Sequence, residues 1–142
     1  MRCEEIMKEE PVCVSPQDTI EDAACRMRDE NIGFLPVCDQ SRTALGALTD
    51  RDIAVRAVAE KKPASTLVED VMTREVVACH PQDELAMAEH LMTEYRKSRI
   101  MCTDDDGRLC GIISLTDIVD SEGGTAASDI LRQVCERESA SR

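Results

Sequence analysis

Gly46-Ala47-Leu48-Thr49-Asp50-Arg51-Asp52-Ile53 and Gly111-Ile112-Ile113-Ser114-Leu115-Thr116-Asp117-Ile118 are one pattern written twice. In each, a short apolar run ends on a hydroxyl residue, and an aspartate follows three positions later. Such a run reads as a strand, and the hydroxyl-x-x-Asp step reads as the start of a helix. One segment falls on the other after a shift of 65 residues, the step from Met7 to Met72. At that shift residues 4–53 match residues 69–118 without a gap, with identities such as Glu4/Glu69, Pro16/Pro81, Gln17/Gln82, Asp18/Asp83, Met27/Met92 and Asp39/Asp104. The period exceeds the roughly 20–50 residues of stacked repeat arrays, and there are only two copies. A pseudo-twofold pair of like units fits better, each with an apolar face that it cannot bury alone.

Working outward, each copy alternates strand and helix. Val12-Cys13-Val14 is a short apolar run closed by Ser15-Pro16 and reads as a strand. Asp18, with Glu21 three positions on, predicts a capped helix start, and Ile20, Ala23, Ala24 and Met27 follow at helical spacing. Asn31-Ile32-Gly33 should stop that helix. Strands are expected over 34–38 and 44–48, with a turn at 39–42 and a helix over 50–60. The second copy repeats the order, with strands over 76–79, 100–102 and 109–113 and a helix lined by Leu85, Ala88, Met92 and Tyr95. The expected fold class is α/β (α+β): two pseudo-twofold-related repeats, each with a small, mostly three-stranded sheet and two helices, plus a C-terminal helix. Repeat 1 is assigned to residues 1–60, a linker to 61–68, repeat 2 to 69–122 and the last helix to 125–138.

Composition narrows the function. The 142 residues are 42% apolar but only 1% aromatic, so Leu, Ile, Val, Met, Ala and Cys must fill the core. A net charge of -12 repels polyanions, because nucleic-acid binding relies on Lys and Arg displacing counterions from phosphate. Platforms for base stacking are lacking as well. Neither nucleic acid nor an anionic membrane is an expected partner. A local basic pocket for a small anion remains compatible with that charge. No apolar run approaches the ~18 residues of a membrane span, and the acidic start Met1-Arg2-Cys3-Glu4-Glu5 leads into no signal-peptide core. The expected location is the cytoplasm, where the eight cysteines would be reduced thiols.

The repeated junction is where chemistry can sit. A carboxylate at the start of a helix can accept from both vicinal hydroxyls of a ribose. A neighbouring Ser or Thr hydroxyl can donate to a phosphate or ribose oxygen, and the unpaired amides of the first turn favour an anion. The same residues also make an ordinary capping box, Thr49-x-x-Asp52 and Ser114-x-x-Asp117. Recurrence at the same place in both copies is what favours a ligand site.

Gly-x-x-Thr/Ser-x-x-Asp after a strand, preceded by Leu35-Pro36-Val37-Cys38-Asp39, resembles the signature of the CBS-domain family, and the likeness spans both copies from about 4 to 120. The resemblance implies a CBS pair that binds an adenosine-containing ligand (AMP, ADP, ATP, S-adenosylmethionine or a NAD species) in clefts between the repeats. It also implies a homodimer that regulates an unidentified effector protein in trans. Carried over residue by residue, Asp52 and Asp117 would hold ribose. Thr49, Ser114 and Thr116 would bond ribose or phosphate, and Arg51 and Arg99 would meet phosphate. Val12 and Ile32 would face the Asp117 pocket, and Val77 the Asp52 pocket. The chain departs from the pattern at Phe34, which stands where the second copy has Arg99, and at Met101, which stands where the first has Pro36. Glu9 and Glu10 would oppose a polyphosphate if they faced the ligand. The Asp117 pocket is therefore the favoured one.

Two other readings stay open. One is a ligand-free interaction or dimerisation module, which suits the acidic surface. The other is a thiol or metal sensor. The cysteines lack C-x₂₋₄-C spacing and fall mostly on expected core positions, where a thiol acts as a small hydrophobe. Cys79-His80 is the one adjacent pair, and His90 falls mid-helix. With no GxSxG, HExxH or P-loop motif, no enzyme activity, catalytic residue, metal or resident cofactor is expected.

Overall fold

The computed structural model describes residues 1–122; the helix expected over 125–138 lies outside them. In chain order the elements are β1 (Lys8–Glu9), α1 (Ile20–Glu30), β2 (Phe34–Cys38), β3 (Ala44–Thr49), α2 (Asp50–Asp52), β4 (Ala78–Cys79), α3 (Leu85–Tyr95), β5 (Arg99–Thr103), β6 (Leu109–Ser114) and α4 (Leu115–Glu122). Short 3-10 turns stand at Cys3–Glu5 and Val68–Asp70. The mixed α/β class expected from the sequence is the one observed. Among the described residues two compact units form, one from residues 12–76 and the other from 1–11 together with 77–122.

In the 12–76 unit, β2 and β3 pair antiparallel, Leu35 against Leu48 and Phe34 against Thr49. Asp39 makes the turn between them, its Oδ1 accepting from the amides of Ser41 and Thr43, both at 2.9 Å. Single bridges extend the hairpin on each side: Val14 pairs parallel with Val37, and Thr73 pairs antiparallel with Ala47. The strand expected over 12–14 thus narrows to one ladder residue, because Pro11 and Pro16 bracket it and neither can donate. Ile20, Ala23 and Met27 of α1 pack on Leu35, Val37 and Leu48, together with Val68, Val71 and Met72.

The cap of α1 differs from the expectation. Thr19 is the N-cap, its hydroxyl accepting from the Asp22 amide at 3.1 Å. Asp18 stands one residue too early and instead closes the Ser15–Asp18 turn, accepting from the Ser15 amide at 2.9 Å. Asp83 repeats this with the His80 amide at 2.8 Å. Asn31 ends α1 in the left-handed conformation (φ 54°), and the Ile32 amide reaches back to the Met27 carbonyl at 3.0 Å. The helix expected over 50–60 is α-helical only over Asp50–Asp52, then winds as a π-helix over Ile53–Val58.

The second unit repeats the plan, with two-residue strands β1 and β4 where the first has single bridges. Its sheet runs β1-β6-β5-β4, with β4 parallel to β5 and the other pairs antiparallel. In both units the segment that leads one sequence copy folds onto the body of the other. Cys3 and Glu4 donate to the carbonyls of Asp83 and Pro81 at 2.9 and 2.8 Å, just as Val68 and Glu69 donate to those of Asp18 and Pro16 at 2.8 and 3.1 Å. The leading glycines of the repeated pattern serve this exchange. A Cβ on Gly111 would sit 2.9 Å from the Lys8 carbonyl, and one on Gly46 would run into the Thr73 carbonyl.

The core of this unit holds Leu85, Ala88, Met92, Ile100, Ile113 and Ile118 around three buried thiols, Cys3, Cys79 and Cys102. Their sulfurs touch, Cys79 lying 3.6 Å from Cys3 and 3.4 Å from Cys102. At the 65-residue shift these positions are Val68, Val14 and Val37, which are equally buried in the other unit. The thiols therefore occupy places the fold fills with small apolar side chains. Cys79 is pushed up to about 12, mainly by its hydrogen bond with Cys102. Cys3 is pushed up further still, first by its bond with Cys79 and then by burial.

Candidate functional site

Both repeated junctions form as strand-to-helix steps, and both build the reciprocal cap. Thr49 Oγ1 accepts from the Asp52 amide at 3.0 Å, while Asp52 Oδ2 accepts from the Thr49 amide at 3.1 Å. Ser114 Oγ accepts from the Asp117 amide at 3.1 Å, while Asp117 Oδ2 accepts from the Ser114 amide at 2.9 Å. Up to this point the two sites are equivalent.

They then diverge. Asp52 is 7% exposed, and the rest of its carboxylate is taken. The Thr73 hydroxyl lies 3.2 Å from each of its oxygens, and Arg56 Nε lies 3.8 Å from Oδ1. Arg56 is itself tied down, donating to the Met72 carbonyl at 3.0 Å. Asp117 is half-buried, and among the described residues nothing donates to its Oδ1. Beside it a depression of about 230 Å³ is lined by Ser98, Arg99, Ser114, Leu115, Thr116 and Val119. Three of the expected site residues, Arg99, Ser114 and Thr116, line this depression, and Asp117 braces its Ser114 edge. Arg99 pairs with Ser114 across β5 and β6, which brings the cation to the hydroxyl.

The remaining expected residues are placed as follows. Phe34 pairs with Thr49 as Arg99 does with Ser114, so the first junction has no cation at that place. Arg51 is exposed on α2. Val12 and Ile32 are partly buried against the core of the 12–76 unit, and Val77 is buried in the core of the other. His80 Nε2 pairs with Asp105 at 3.1 Å and His90 with Glu94 at 3.1 Å. Among the described residues no group of three or more His, Cys, Asp or Glu is arranged to hold a metal ion. No described helix is long and apolar enough to cross a membrane.

Reading the sequence missed Ser98, whose carbonyl accepts the Leu115 amide at 2.7 Å and holds the depression's rim. It also missed Thr73 and Arg56, which occupy Asp52. The repeat register contained a signal for Thr73: it falls on Lys8, so the two copies differ there in chemistry.

Two like α/β repeats, each turning from a strand into a helix through a hydroxyl-x-x-Asp cap, define a tandem-repeat module. The CBS domain pattern matches residues 3–58 and 68–123. The chain is 36% identical over 125 residues to the CBS domain-containing protein YhcV of Bacillus subtilis, covering 84% of this chain and 88% of that one. Its fold resembles the CBS domain protein TA0289 from Thermoplasma acidophilum, with a TM-score of 0.79 at 28% identity over 94% of this chain and 75% of that one. It also resembles the CBS domain pair of protein MJ0100, with a TM-score of 0.78 at 28% identity over 87% and 97% of the two chains. That pair was solved in complex with 5'-methylthioadenosine and S-adenosyl-L-methionine. The chain belongs to the CBS-domain family, as a tandem pair.

Proposed function

We propose that this CBS pair is a non-catalytic regulatory module that binds an adenosine-containing ligand at the Asp117 junction. The ligand class comprises AMP, ADP, ATP, S-adenosylmethionine and NAD species. The observation that carries the reading is the open Asp117 oxygen beside a depression lined by Arg99, Ser114 and Thr116. In this role Asp117 accepts from the ribose hydroxyls, Ser114 and Thr116 donate to ribose or phosphate oxygens, and Arg99 meets the anionic group. The depression is smaller than the about 300–1,000 Å³ of whole ligand pockets, which suits the sugar and its substituent. The adenosyl complex of MJ0100 supports the ligand class. Asp52, with its carboxylate already occupied, is the weaker site. Output passes in trans to a partner protein from a cytoplasmic homodimer, and a ligand biases that output only as far as it prefers one state.

Thermal unfolding with a panel of AMP, ADP, ATP, S-adenosylmethionine and NADH tests this. A ligand at ~100 times its dissociation constant adds about 2.7 kcal/mol, which is several degrees of Tm. At least one of the five should give that shift, and Asp117→Ala should abolish it. A flat response across the panel refutes the proposal and favours a ligand-free interaction module, a reading that the closed Asp52 junction already fits.

A further inference from the structure

Lys8 enters none of the roles above, and its place in the sheet suggests one. β6 lies between β1 and β5, with Lys8 paired to Ile112 and Arg99 to Ser114. Cross-strand partners share a face, as do residues two apart along a strand. Lys8, Ile112, Ser114 and Arg99 therefore stand on one face. Glu9, paired with Gly111, stands on the other, so it does not oppose an anion held on this one.

The other unit shows what a side chain at this position reaches. The residue equivalent to Lys8 is Thr73, which bridges to Ala47 as Lys8 pairs with Ile112. From there the Thr73 hydroxyl donates to both oxygens of Asp52 at 3.2 Å. The same position in the second unit thus neighbours Asp117, but it carries an ammonium group. Lys8 is exposed, and neither it nor Arg99 makes an ion pair with a described residue. Strands about 4.8 Å apart, and an offset of two residues along β6, put the two backbones about 12 Å from each other. Positive charge is spread along the face rather than focused at one point.

Resting on the adenosine-ligand reading, we infer that Lys8 is a specificity residue which, with Arg99, selects adenosine ligands bearing an extended anionic chain, a nucleoside di- or triphosphate. Arg99 takes the phosphate nearest the ribose, and Lys8 takes the charge further along. Lysine at this position also leaves the Asp117 oxygen open, where a threonine would close it.

Calorimetric titration of the whole protein with adenosine, AMP, ADP and ATP tests this, using wild type, Lys8→Ala and Lys8→Thr. In wild type, affinity should rise from AMP to ADP and ATP. Lys8→Ala should weaken ADP and ATP by about tenfold, the size of a lost charge-assisted hydrogen bond, and leave adenosine and AMP within about twofold. Lys8→Thr should weaken adenosine as well, because its hydroxyl would occupy Asp117. If Lys8→Ala weakens all four ligands equally or none of them, Lys8 is not the selector. If wild type binds none of the four, the role of Lys8 fails, while the adenosine reading falls only if S-adenosylmethionine and NADH also leave the thermal melt unmoved. Circular dichroism of both variants separates loss of binding from loss of fold.

Discussion

Replacing Asp52 or Asp117 with alanine removes the same side chain from matching places, yet the two changes should differ in cost. At Asp52 the change deletes the bond to the Thr49 amide, worth about 1–1.5 kcal/mol for a helix cap at a shielded site. It also leaves the Thr73 hydroxyl without its acceptor, for about 1 kcal/mol more. The Arg56 pair adds at most about 0.5 kcal/mol, since that arginine is half exposed. The total is about 3 kcal/mol. At Asp117 only the Ser114 amide loses its partner, and water can reach the half-buried site, so about 1 kcal/mol is lost. For a chain of this length each kcal/mol is about 3–4 °C in Tm. Thermal melts without ligand should show Asp52→Ala about 10 °C below wild type and Asp117→Ala about 3–4 °C below. A double-mutant cycle of Asp52→Ala with Thr73→Val should give a coupling of about 1 kcal/mol. Equal losses at the two aspartates, or a larger loss at Asp117, would refute the claim that one carboxylate is structural and the other is held in reserve.

Three further outcomes follow from the same geometry. Cysteine labelling of the native protein should modify Cys13, Cys25 and Cys110, which are partly exposed, well before Cys3, Cys38, Cys79 and Cys102, which are buried; mass spectrometry at timed quenches reads the order. Stability should fall with rising pH above about 9. Cys79 and Cys38 are raised from 9.0 to about 12 in the folded state, Cys79 mainly by Cys102 and Cys38 mainly by burial, so the unfolded chain releases its thiol protons first. Their contribution is complete below 9 and is lost towards 12, so denaturant midpoints at pH 7.5 and 10.5 should lie closer together in a Cys38→Val, Cys79→Val variant than in wild type, with buried Cys3 keeping part of the difference. Gly46→Ala should cost about 1–3 kcal/mol by overpacking, because its Cβ meets the Thr73 backbone carbonyl rather than a side chain that can move; a neutral result in denaturant unfolding would mean that the exchanged segment is loosely held.

What the sequence made legible depended on range. Local signals were strong: the span 34–38 read from composition is the strand formed, and Asn31-Ile32-Gly33 ends α1 through the left-handed Asn31. The Asp18 cap was misread because Thr19 and Asp18 are both good caps, and only the turn made by Pro16 decides between them. The π-helical winding after Asp52 has no periodic signature, since Ile53 to Val58 would suit either winding. The exchange of leading segments was out of reach. It rests on pairings such as Cys3 to Asp83, which neither residue announces.

The same limit explains why the two junctions looked alike and are not. Their caps are local, so the repeat predicted both correctly. Part of their difference lies at residues 73 and 8, which stand on the segments paired beside the junctions, Thr73 bonded to Asp52 and Lys8 opposite Ile112, only because each leading segment crosses to the other copy. Once that exchange is known, the repeat register becomes informative again, because it turns a mismatch, Thr against Lys, into a statement about which carboxylate is occupied. A duplicated fold lets one copy keep the buried hydrogen-bond network that stabilises it and frees the other copy from that duty. In this chain the Asp52 junction carries that network, with Thr73 and Arg56 completing it. The Asp117 junction lacks that network among the described residues and has Lys8 and Arg99 on one sheet face beside it, which is the arrangement the proposed ligand role draws on.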